Sequence, residues 1–279
     1  MRLEIVNKAG QLKKSKDTRH ECFPLIAEGE TSAYLSVQET PFSEGDILRL
    51  SVDTPKQFVW LKMHVSLESS LVYLAEKPWG YPLYFNEQAV AAQVLGCFQG
   101  TVHYLSAQLA TEAEINRYQN LALNPHDHKS ATGGYLHTFA NVETRNDAPF
   151  FACNAIDGVL ANHFHGLYPY KSWKINQQAD VALTIDFGRE VELDSVTFTL
   201  WAYFSHDSYW QQVSFGFLDG TKGIFTTKET IVTQSFTFSK RAVTAVVFVN
   251  LIKDKDASKF PTLMQIELFG KNKQVLKSA

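Results

Sequence analysis

The chain has 279 residues, of which 45% are hydrophobic, 13% aromatic and 20% charged, with a formal net charge of −3. Its length predicts two domains of roughly 130 residues each, and so small a negative charge offers no basic face to neutralise phosphates, which argues against nucleic acid as a partner. The longest apolar runs, such as Ala242 to Leu251, fall well short of the roughly 20 residues that span a bilayer, so no membrane partner is expected.

From the start, Met1 to Asn7 alternates polar and apolar residues and has no apolar core followed by a small-residue cleavage site, so no export signal is read there. Strand signals follow at Asp46 to Val52, Phe58 to Val65, Leu71 to Ala75 and Tyr81 to Phe85, separated by Asp, Pro, Gly and Ser clusters. Trp79-Gly80-Tyr81-Pro82 reads as a packed corner. Thr111-Glu112-Ala113-Glu114 opens like a capped first turn, and Ile115, Tyr118 and Leu121-Ala122 supply an apolar stripe. These predict one substantial helix over about 111 to 122, ended by Asn124-Pro125. The polar stretch from His126 to Asn141 reads as a linker, its His126-Asp127-His128 run solvated. The boundary is placed near Leu136, giving domains 1–135 and 136–279.

Beyond the linker, strands are predicted at Val181 to Phe187, Ser195 to Ala202, Gln212 to Leu218, Ser235 to Phe238, Ala242 to Val249 and Leu263 to Phe269. No helical stretch long enough for crossovers lies between them, so the fold class is all-β, with two antiparallel sandwiches of jelly-roll type. The three cysteines, Cys22, Cys97 and Cys153, are odd in number, far apart and form no metal-ligand pair, which fits reduced core residues and a cytoplasmic protein.

The second half carries Asn154-Ala155-Ile156-Asp157-Gly158, then Trp173, then Ala182 to Gly188, then Val191 to Val196, and finally Gln265-Ile266-Glu267-Leu268-Phe269-Gly270. In that order these motifs resemble the discoidin or coagulation-factor-C-type galactose-binding-like domain, over roughly residues 140 to 271. The chain as a whole resembles two-domain bacterial proteins in which a small β-sandwich precedes such a module. The resemblance implies a jelly roll that binds sugars through loops at one end. It also implies a structural calcium at Asp157 and Glu267 with nearby carbonyls; no other cofactor is expected.

The stretch from Val159 to Ser172 is longer than the family's usual loop and, with the residues just after it, combines imidazoles, amides and rings: Asn162, His163, His165, Tyr168, Tyr170, Lys171 and Asn176. A second cluster runs from Trp201 to Trp210 and includes His206 and Asp207. Sugars need flat aromatic faces for their C–H surfaces and directional polar groups for their hydroxyls, and both segments supply them. Trp173 and Trp201, beside strand residues, are assigned to the core, and Trp210 to the site.

The expected role is therefore non-catalytic binding of a sugar or oligosaccharide, with the first domain as scaffold or dimerisation surface of a homodimer. Two alternatives stand beside it. His206 and Asp207 could serve a glycan-processing hydrolase or lyase, although glycoside hydrolysis uses paired carboxylates and this cluster holds one. His163, His165 and His206 with Asp207 are also suitable zinc ligands, but no His-Glu-x-x-His helix accompanies them.

Overall fold

The computed structural model describes residues 1–16, 22–164, 166–201, 208–217, 220–255 and 261–273. In chain order it contains strands β1 (Arg2–Val6), β2 (Ile26–Glu28), β3 (Ser32–Val37), β4 (Ile47–Ser51), β5 (Gln57–Lys62), β6 (Ser70–Leu74) and β7 (Trp79–Pro82), helix α1 (Glu87–Ala91) and strand β8 (His103–Leu109). Helix α2 (Glu112–Asn116), β9 (Gln119–Asn120), β10 (Gly134–Tyr135), β11 (His137–Ala140) and β12 (Trp173–Lys174) follow. The long strands β13 (Leu183–Leu200), β14 (Trp210–Phe217), β15 (Lys222–Thr226), β16 (Gln234–Lys253) and β17 (Thr262–Asn272) complete it. The fold class is all-β, as the alternating segments predict, with 46% of residues in strands and 8% helical.

Two compact units result. The first comprises Met1–Ala110 and Ala131–Tyr135; the second comprises Thr111–Ser130 and the chain from Leu136 onward. A single crossing at 135/136 is thus replaced by three.

The first unit stacks two antiparallel sheets, ordered β2-β1-β4-β7 and β10-β6-β5-β8-β3. Strand alternation explains it: Leu3, Ile5, Leu48 and Leu50 from one sheet and Val59, Leu61, Leu105 and Ala107 from the other all point into one core. The Trp79-Gly80-Tyr81-Pro82 corner is strand β7, with Trp79 and Tyr81 buried. Trp79 Nε1 donates to Thr132 Oγ1 at 3.1 Å, and Gly134 lies so close beneath the ring that a Cβ there would stand 2.5 Å from Nε1. His103 is also core, stacked on Phe42 at 3.8 Å.

In the second unit the order is β12-β17-β13-β16-β14-β15, with β11 on β13 and β9 on β17. Each of β13 and β16 merges two segments that read as separate strands. At Asp186-Phe187-Gly188-Arg189 the chain bends without ending the strand: Gly188 takes φ +62°, Asp186 Oδ1 accepts its N–H at 2.8 Å, and pairing resumes at Val191 after a register shift. The first part of β13 pairs with β11 and the end of β16, whereas its last part pairs with β17 and the start of β16. Phe198 on the latter part meets Phe215 at 5.6 Å and Phe248 at 5.7 Å, so the bent sheet closes over its own aromatic core as a sandwich.

The helix expected over 111 to 122 is shorter and belongs to this second unit. Thr111 caps α2 through a reciprocal pair with Glu114, but Arg117 leaves the helical region at ψ 152°. The chain then runs extended along β17: Asn120 Oδ1 accepts from the N–H groups of Ala122 and Leu268, and Leu121 N donates to Leu268 O at 2.7 Å. Leu121 and Ala122 are buried as predicted, by strand pairing instead of by a helical stripe.

Candidate functional site

The registers of the second unit bring several chain ends together. Leu200 at the end of β13 lies opposite Leu263 near the start of β17, Phe198 opposite Gln234 at the start of β16, and Trp210 opposite Lys253 at the end of β16. Trp173, paired with Leu263, packs on Trp210 at 6.1 Å, so these termini share one end of the sandwich. The connection 141–182 and the turn 227–233 therefore sit there, as does Trp201. Asn162 Nδ2 donates to Ile231 O at 2.7 Å, tying the first to the second. Lys174, buried on β12, sets its ammonium 4.8 Å from the Phe150 ring and 4.5 Å from the Trp201 ring.

Within the long connection a tight turn is built on Gly166, whose φ of +99° lies in the region open to glycine. Gly166 N donates to Tyr170 O at 3.2 Å and Tyr170 N to Leu167 O at 2.7 Å. The turn leaves Phe164 and Leu167 facing solvent, 57% and 61% exposed, with Phe164 edge-on to Tyr170 at 5.2 Å.

The residues read as a binding site divide into those that reach the surface and those the fold consumes. His163 and Asn176 are exposed, and Tyr168 and Tyr170 are half-buried. Asn162 is buried, its amide engaged by Ile231. Lys171 is held in an ion pair with Asp157 at 2.8 Å and also lies 5.9 Å over the Tyr168 ring. Trp210 is not a ligand platform: it is 1% exposed and packs on Trp173 at 6.1 Å and Phe248 at 5.8 Å. Its position at the first residue of a central strand turns the ring inward. Trp173 and Trp201 are buried, as their strand context predicts. His165, His206 and Asp207 lie outside the described residues.

The carboxylates assigned to calcium do not fit it. Asp157 Oδ1 accepts from Val159 N at 2.8 Å while Oδ2 faces the Lys171 ammonium, and Gln265 Oε1, beside it, accepts from Gly158 N at 3.2 Å. Glu267 accepts from Asn120 Nδ2 at 3.4 Å. A calcium needs six to eight oxygens, and a resident ammonium on the carboxylate opposes a second cation by direct repulsion. Among the described residues no group of three or more His, Cys, Asp or Glu is arranged to hold a metal ion. Burial raises the Asp157 pKa, with Lys171 pulling the other way. Burial likewise disfavours the Lys171 ammonium, but Asp157 outweighs it and leaves the lysine above its usual value.

The His126-Asp127-His128 run is not solvated: His126 is buried, the Asp127 side chain is 2% exposed and His128 is half-buried. Asp127 accepts from His137 Nδ1, Thr138 N and Thr138 Oγ1, each at 2.8 Å. Asn124 bridges Leu136 O at 2.7 Å and His126 N at 3.1 Å. Burial drives the His126 pKa down to about 3 and that of His128 to about 4, with small repulsions from His128 and His137 respectively. The available signal was Asn124-Pro125 followed two residues later by Asp127: Asx residues at such spacing close turns through their own backbone.

No protein-family model matches the chain, and no curated protein matches it. Among solved structures it is similar to a fucolectin from striped bass (Morone saxatilis) serum, at 15% identity over 88% of this chain and 84% of that one, TM-score 0.42. It is similar to the family 32 carbohydrate-binding module of Clostridium perfringens NanJ, solved in complex with galactose, at 16% identity over 47% and 91%, TM-score 0.36. A third is chitosan-binding module 1 of a chitosanase/glucanase from Paenibacillus sp. IK-5, at 18% identity over 54% and 98%, TM-score 0.37. These are carbohydrate-binding modules and a lectin, the class that the motif order resembles. At such scores the likeness assigns no function.

Proposed function

We propose that the protein binds a sugar or oligosaccharide without turning it over, through the loop end of the second unit, the first unit serving as scaffold or dimerisation surface. The observation that supports this reading is the gathering of half-buried Tyr168 and Tyr170 and exposed His163, Phe164 and Asn176 on one connection, pinned at the sandwich end by Asn162 and Lys174. Half-buried rings beside imidazole and amide groups suit the C–H faces and hydroxyls of a sugar, and a pinned loop loses little entropy on binding. Asp157, the carboxylate at the base of the loop, is neutralised by Lys171 and so makes a poor general base.

The test is titration calorimetry against a panel of mono- and oligosaccharides, with product analysis alongside. A saturable heat with no product is expected. His206→Ala and Asp207→Ala each weaken affinity by roughly 1–3 kcal/mol, the effect of leaving a buried polar partner unsatisfied. Steady glycan cleavage that Asp207→Asn abolishes while binding persists would replace this reading with an enzymatic one.

A further inference from the structure

We infer that the loop proposed to carry the ligand is closed at its base by an internal cation, the Lys171 ammonium on Asp157, and that the module is therefore independent of calcium. The geometry of both ends carries this. Asp157 follows the helical turn Ala152–Ile156, and the next residue, Gly158, is fixed to β17 through Gln265. Gly158 itself, at φ +85°, passes so near Leu123 that a Cβ would stand 2.9 Å from its Cδ1. Lys171 precedes Ser172 and Trp173, both fully buried, with Ser172 N on Pro149 O at 2.9 Å and Trp173 Nε1 on Val142 O at 2.9 Å. The chain thus leaves the core after Asp157 and re-enters it at Lys171, beside an ion pair whose side chains are 7% and 15% exposed.

A carboxylate this buried stays ionised only beside a counter-charge, which a bound divalent ion or a covalently attached ammonium can supply, and here the Lys171 ammonium stands 2.8 Å from it. The attached ammonium has no dissociation constant, so neither chelator nor added metal shifts the fold by mass action. It also approaches the Tyr168 ring at 5.9 Å, linking the clasp to the surface of the loop. The inference rests on the sugar-binding reading only for the task of the loop; the clasp is read through stability, with no sugar present.

The experiment is thermal unfolding of the full chain in chelator and in millimolar calcium, followed by a double-mutant cycle on Lys171→Met and Asp157→Asn. The wild type should melt at the same temperature in both buffers. Lys171→Met should lower the midpoint by on the order of 10 °C, as expected for stranding one partner of a buried pair. The double variant should lose clearly less than the sum of the two single losses. Lys171→Met should also speed chymotryptic cleavage at Phe164 and Leu167 at least about tenfold, as a locally opened loop would. A calcium-dependent rise in the wild-type midpoint, which needs no variant to fold, would overturn the inference, as would strict additivity of the two substitutions. If the clasp holds and no sugar binds, the ligand reading alone fails.

Discussion

Around Asp127, three donors converge on one carboxylate and the neighbouring His126 is fully buried; around Gly166, His163 is exposed and two tyrosines and a phenylalanine reach the surface. Both regions draw on the same vocabulary of His, Asp, Asn and aromatic rings. In the first, both oxygens of the carboxylate accept from His137 and Thr138, so the cluster fastens residues 124–128 to β11. In the second, the polar groups pinned to the core, Asn162 and Lys171, are the ones that hold the loop, leaving His163 and Asn176 at the surface. Residue type alone does not separate a fastening from a binding surface; the destination of each hydrogen bond does.

This contrast can be broken most sharply at Trp210. If the ring is core, Trp210→Ala lowers unfolding free energy by about 3–5 kcal/mol in urea. A surface platform would cost less than about 0.5 kcal/mol. Asp127→Ala should come next, with a loss of about 3 kcal/mol, because His137 and Thr138 keep buried donors without an acceptor. Sugar affinity of the folded fraction should be unchanged, and a tenfold weakening would move the Asp127 cluster into the binding surface.

The pH dependence is of similar size. His126 and His128 are held neutral with folded-state pKa values near 3 and 4, below the unfolded value of about 6.5, so the unfolded chain binds more protons as the pH falls. Their contribution is fully present above pH ~6.5 and is lost as the pH falls toward those values. The slope approaches roughly 1.4 kcal/mol per pH unit for each histidine. His137, raised by Asp127 against the opposing effect of burial, has the opposite sign: its contribution is present below pH ~6.5 and lost as the pH rises through its folded value. Urea midpoints measured from pH 7 to pH 5 should fall steadily, and His126→Asn should flatten the curve. A flat wild-type profile would mean that water reaches these rings. The smallest expected effect is on stability at the loop end: Tyr170→Ala and His163→Ala should change it by less than about 1 kcal/mol while weakening sugar affinity by about 1–3 kcal/mol.

Much of the fold could be read from alternation. Leu183, Ile185 and Phe187 against Thr184 and Asp186 mark an inward face by apolar and polar alternation, whereas Phe58-Val59-Trp60-Leu61 is apolar on both faces and reads only as a strand. What alternation cannot see is whether a Gly-containing signal stops a strand or bends it, and Gly188 bends one because Asp186 closes the turn locally while pairing continues beyond it. The helix over 111 to 122 was overestimated for a related reason: Asn120 Oδ1 accepts from Leu268 N on β17 as well as from Ala122 N beside it, and the bond to Leu268 is one that no local pattern encodes. In the long connection, the exposure of His163 and Asn176 and the half-buried state of Tyr168 and Tyr170 follow from residue type and loop context. The placements of Trp210 and Lys171 do not, because strand register and a partner fourteen positions upstream, Asp157, decide their fates.

The early departure of Thr111–Ser130 into the second unit governs how the chain can be divided. A fragment begun at Leu136, where composition suggests a cut, would lack β9 and the extended run through Leu121. The rim of β17 from Leu268 to Gly270 would then present unpaired amides and carbonyls, an invitation to intermolecular strand addition and precipitation. Recombinant work on the second unit should therefore start at Thr111, and insoluble material from the shorter piece would report a missing sheet border, not an unstable core.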